Sequence, residues 1–165
     1  MGKRLPEIIN EEEFFKIMKI DKKKEHQIAF SLGFFCGLRI SEVEKLTQKD
    51  IDYDRKMLFI REAKGGKDRY VPFPSTITKG LKHIPIKIKR RALQHSITKY
   101  GKKVLNKNIH FHTLRHGAAT LYLSKGMNIR QVQQLLGHSR LDTTMIYTHV
   151  SPDEIKNKMD EIWGK

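Results

Sequence analysis

The 165-residue chain has a single cysteine, Cys36, set in an apolar stretch. A lone thiol makes no internal disulfide and no cysteine zinc site, so the fold must rest on a hydrophobic core, and neither a metal nor another cofactor is expected. Long hydrophobic runs are lacking too. The best candidate, residues 28–38, carries polar interruptions and falls short of the roughly 18 residues a membrane span needs. The opening Met-Gly-Lys-Arg-Leu-Pro-Glu contains no apolar core of a signal peptide. A single domain in the cytoplasm, with no membrane partner, is expected.

Acidic residues are missing from one long stretch. Between Arg69 and Leu141 there is no Asp or Glu, yet 15 of the 33 Lys and Arg lie there. The other 18 balance the chain's 18 acids, so one contiguous part carries the whole formal excess of +15. A surface of one sign attracts a polyanion and releases its counterions, which makes such binding steeply salt-dependent. A merely basic, soluble surface is the plainer reading. Confinement of the charge to one part favours nucleic acid.

Local patterns outline the elements. Asn10-Glu-Glu-Glu13 reads as a capping box, followed by Phe14, Phe15, Ile17 and Met18 as an apolar helix face. A second helix is predicted over 27–37 with Gly37 as its stop, and Ser41-Glu-Val-Glu44 as a capping box opening a short helix through Leu46. Arg39 is then pinned between two helices. Residues 50–54 read as a turn, and 57–60 and 69–73 as two strands. Gly65 and Gly66 mark a hairpin between them, with Lys64 and Lys67 at its tip, and Pro72 and Pro74 suggest an edge strand. A basic helix is predicted over 86–103, and Thr113 caps another that runs to Lys125. Asn128-Ile-Arg-Gln131 opens a helix that Gly137 ends, Ser139-Arg-Leu-Asp142 starts the next, and Ser151-Pro-Asp-Glu154 starts the last. The sum is mainly α with one small antiparallel β-hairpin or sheet.

Three short stretches demand a joint explanation: Gly37-Leu-Arg-Ile-Ser-Glu42, His112-Thr-Leu-Arg-His116, and Leu136-Gly-His-Ser-Arg-Leu-Asp-Thr-Thr-Met-Ile-Tyr147-Thr-His149. With the lysine hairpin, they resemble the catalytic domain of the tyrosine recombinases, the Xer proteins and phage-type integrases, and most of all its Xer-type members. The resemblance covers nearly the whole chain. It implies that Arg39 and Arg115 are the two catalytic arginines, His112 and His138 the two histidines, and Tyr147 the nucleophile. In the family's G-K-G-x-K-x-R-x-V-P pattern the catalytic lysine falls on Lys64, with Lys67 the alternative and Ala63 where the pattern has glycine. The resemblance further implies double-stranded DNA as partner, a nucleoid location, and a homo-tetramer on DNA joined through the C-terminal helix, 152–165. The chain begins about where the catalytic domain would, so residues 1–165 are expected to be that domain without the N-terminal core-binding domain.

The chemistry fits these residue types. A phosphodiester is anionic, so its transition state needs neutralisation, and two guanidinium forks suit its non-bridging oxygens. A third hydrogen bond from His138 is open to the same oxygens. The Tyr147 phenol must lose its proton to attack, and either His112 or His138 can receive it. A lysine at a hairpin tip suits protonation of the 5′-hydroxyl leaving group. Glu42 is placed to lock Arg39 by an ion pair, and His116 to brace the second cluster. Candidate DNA contacts are Lys67, Arg69, Lys87, Lys89, Arg90, Arg91 and Arg140.

Singly these residues mean little, since an arginine such as Arg39 is ordinarily a surface ion-pair residue and a tyrosine such as Tyr147 ordinarily packs. Their joint order carries the reading. Two other functions compete: a repressor-like module using 128–150 as a helix-turn-helix, and a type IB topoisomerase that nicks and relaxes DNA with the same chemistry.

Overall fold

The most apolar segment of the sequence becomes the centre of the fold. In the computed structural model, which describes residues 7–61, 67–137 and 151–165, helix α2 (Lys24–Phe35) has every residue from Ile28 to Phe35 buried. A helix apolar on all sides has no solvent face and must be surrounded. Before it, α1 (Glu11–Ile20) lays Phe14 on Phe34 as a stacked pair with ring centroids 4.2 Å apart. After it come α3 (Ile40–Lys45), strands β1 (Ile51–Asp52), β2 (Met57–Ile60) and β3 (Arg69–Pro72), and helices α4 (Arg90–Tyr100), α5 (Phe111–Ser124), α6 (Ile129–Leu136) and α7 (Pro152–Trp163). Short 3-10 turns at Ser75–His83 and a π-helical turn at Gly101–Leu105 flank α4. The helix expected from Ser139 to Val150 and the hairpin tip lie outside the described residues.

Caps set the helix boundaries. Asn10 and Glu13 form the reciprocal box at α1, and Asn128 and Gln131 the one at α6. At α3 the box differs from the expectation. Glu42, at the third helical position, accepts from the backbone N–H of Arg39, so α3 opens at Arg39 and not at Ser41. At α5, Thr113 acts inside the first turn: its hydroxyl accepts from the His110 N–H, and the helix begins at Phe111. The helix expected over 86–103 starts only at Arg90, where Glu44 of α3 accepts from the Arg90 backbone and guanidinium, supplying an acid that α4's own first turn lacks.

The sheet has three antiparallel strands in the order β1-β2-β3. Residues 51 and 52, read from sequence as part of a turn, pair instead with Leu58 and Met57. Across β2 and β3, Leu58 faces Val71 and Ile60 faces Arg69. Side chains alternate along a strand, so Arg69 shares the buried face with Val71 while Tyr70 points to solvent.

Helix α7 lies back on its own domain. Ile155 and Met159 are buried, and the Trp163 indole N–H donates to the Tyr122 hydroxyl at 3.2 Å. Tyr122 in turn donates to the Phe35 carbonyl at 2.6 Å, and the Trp163 ring meets Phe35 edge-on at 5.1 Å. Truncating Met159 to alanine should therefore cost about 2–5 kcal/mol, against about 0.5 kcal/mol or less for Glu161→Ala on the exposed face, as read by urea unfolding.

Candidate active site

One carboxylate organises the site. Glu42, with a side chain only 2 % exposed, holds Arg39 through its backbone N–H at 2.9 Å and its guanidinium at 3.1 Å. From the other side Arg69 forks onto both carboxylate oxygens at 2.8 and 3.1 Å. Burial alone would raise the Glu42 pKa, but the hydrogen bonds and charge of Arg69, helped by Arg39, hold it below the usual carboxylate range. Its contribution to stability is thus complete above that range and fades as pH falls through the depressed value. Arg39 keeps 43 % of its side chain exposed, so it is anchored at one edge and open to a ligand at the other.

Arg115 comes from the first turns of α5 and is buried. Its guanidinium donates to the Gly37 carbonyl at 2.6 Å and the Leu136 carbonyl at 2.7 Å. Those oxygens lie where α2 and α6 end, and a cation at a helix C-terminus offsets the dipole there. Both chain turns need glycine: Gly37 and Gly137 have φ of +64° and +67°, and a Cβ on Gly37 would strike Leu136. Burial first, and then the charge of Arg39, pushes the Arg115 pKa down to about 10; Glu42 pulls it upward, and Arg69 adds a smaller push down. Three guanidiniums thus share the field of one carboxylate, and the site carries excess positive charge where an anion would be favoured.

Comparison with known proteins decides the lineage. The phage integrase family model matches residues 7–88 and 85–154. The chain belongs to that family. Tyrosine recombinase XerA of Thermococcus onnurineus (strain NA1) is 32% identical over 180 residues, spanning 96% of this chain and 64% of that protein. The crystal structure of XerA recombinase superposes with a TM-score of 0.74 at 25% identity, covering 98% of this chain and 66% of that one. XerH site-specific recombinase bound to its difH substrate, in a pre-cleavage complex, matches with a TM-score of 0.67 at 26% identity over 84% of this chain and 49% of that one. This chain spans less than two thirds of the length of the curated relatives it matches most strongly.

Within this integrase-family chain the other candidates divide. His112 and His116 stand exposed one turn apart on α5, their rings edge to face at 4.4 Å. Lys67, Lys87, Lys89 and Arg91 are exposed, and Arg90 forks onto Glu44. Arg69 is a correction: expected among the DNA contacts, it is buried beneath Gly137, because strand alternation turns it inward to Glu42. That same alternation with Val71 was the sequence signal for its burial. Arg61, not anticipated, pairs at 2.6 Å with the buried Asp50 at the base of the hairpin. Lys64, His138, Arg140 and Tyr147 lie outside the described residues. Tyr122 is no rival nucleophile, since burial raises its pKa and its hydroxyl is committed to Phe35. Among the described residues no group of three or more His, Cys, Asp or Glu is placed to hold a metal, and no helix is long and apolar enough to cross a membrane.

An anion that binds the native site raises stability by mass action, about 1.4 kcal/mol at ten times its dissociation constant. Sulfate should raise the melting temperature above a chloride control of equal ionic strength, and Arg39→Ala should lose most of that shift. An equal shift in the variant would place the anion elsewhere.

Proposed function

We propose that this chain cuts and rejoins DNA as the catalytic domain of a site-specific tyrosine recombinase. The observation that carries the reading is the pair Arg39 and Arg115, brought from distant parts of the sequence to one positively charged site around Glu42. In this account their guanidiniums grip the non-bridging oxygens of a single DNA phosphate, with His138 as a third donor. The Tyr147 phenol oxygen attacks phosphorus, its proton passing to His112 or His138. The P–O5′ bond breaks, and Lys64, or Lys67 in its place, donates the proton that makes the 5′-hydroxyl a competent leaving group. The 3′-phosphotyrosine conserves the bond, so attack by a 5′-hydroxyl of another strand reverses the step without ATP. Nothing in this sequence of transfers calls for a metal. Duplex DNA as the ligand is supported by the basic stretch and by the substrate-bound XerH relative. Lys67, Lys87, Lys89, Arg90, Arg91 and Arg140 are proposed as contacts to its backbone.

A nicked suicide duplex tests the reading. Wild type should accumulate a covalent protein–DNA band, and Tyr147→Phe should lose it while still binding. Binding without any trapped product from wild type would leave a DNA-binding module in place of an enzyme.

Assembly on DNA through α7 belongs to the same proposal. Its apolar face is already covered within the chain, so exchange onto a neighbour requires release of Ile155, Met159 and Trp163. Light scattering should show DNA-dependent tetramers for the whole chain and none after removal of residues 152–165. Tetramers from the shortened chain would assign assembly to another surface.

A further inference from the structure

The buried Arg69 has no counterpart in the chemistry proposed for the site. Its guanidinium lies between two things that matter there. On one side it forks onto Glu42, the carboxylate that also holds the backbone and side chain of Arg39. On the other, the backbone of Gly137 rests on it so closely that a Cβ at that position would sit 2.7 Å from its Cζ and Nε. A longer contact, 3.4 Å, runs from its Nε to the Leu135 carbonyl in the last turn of α6. One planar cation therefore ties β3, the N-terminus of α3 and the C-terminus of α6 together. Its side chain is 8 % exposed, which leaves little of it for a phosphate.

We infer that Arg69 is a positioning residue: it fixes the Glu42 carboxylate that aims Arg39, and it seats the C-terminal turn of α6 at Gly137. The inference rests on the proposed strand cleavage. A planar fork is required for the role, because a lysine in its place would offer a point charge to one oxygen and no flat surface for Gly137. Gly137 is required as well, both for its φ of +67° and because any side chain would displace the guanidinium.

Arg69→Gln, Arg69→Lys and Gly137→Ala should each slow covalent trapping on the suicide duplex by about 10- to 100-fold, as expected when reacting groups are displaced by about 1 Å. Each should leave duplex affinity, and the slope of log affinity against log salt, unchanged. Rates are taken below the melting temperature of every variant, and where Arg69→Gln fails to fold the comparison rests on Arg69→Lys, which retains the charge. A salt slope reduced by about one would make Arg69 a phosphate contact and overturn the inference. So would trapping at the wild-type rate in Arg69→Lys, or additive losses in the Arg69→Lys/Gly137→Ala double variant where a shared contact predicts little beyond the worse single. Failure of wild type to trap would instead sink the cleavage reading.

Discussion

The site depends on a buried carboxylate that two arginines share. Glu42 has no solvent to satisfy it, so Arg39 and Arg69 must remain in place. Removing Arg69, the buried one of the two, should cost about 3–5 kcal/mol, because the Glu42 charge would be left stranded. That penalty works as a constraint on geometry. It holds the Arg39 backbone at the start of α3 while the far edge of its guanidinium stays open to solvent.

Around this carboxylate the helix ends supply the remaining order. Arg115 is a buried cation close to two others, an arrangement that repulsion alone would disfavour. It is tolerated because the carbonyls of Gly37 and Leu136 present the negative ends of α2 and α6 to it. The fold thus accumulates positive charge at one point and holds it with a single acid and two helix termini. A phosphate at that point would relieve the repulsion and gain several charge-assisted hydrogen bonds at once.

Much of this was legible in the residues. The capping boxes at Asn10 and Asn128 and the proline start of α7 are local signals, and local signals fix where helices begin. The spacing of Arg39 from Glu42 indicated their pairing for the same reason, being one helical turn. What escaped was set at long range. Glu44 determines where α4 opens, and Glu25 accepts from the backbone just before it, both partners more than forty residues away. Arg69 was read by its charge, although its register in β3 put it under Gly137 and against Glu42. Charge composition names a ligand class for a surface, but burial decides which cations belong to that surface.

Arg39 and Arg115 are proposed to converge on one backbone phosphate. A crystal structure of the Tyr147→Phe chain on a duplex carrying its cleavage site tests it most directly. The expected result is a single phosphate whose two non-bridging oxygens lie within about 3 Å of donors from both guanidiniums. A duplex seated on another face, or a phosphate met by only one of the two, would contradict it.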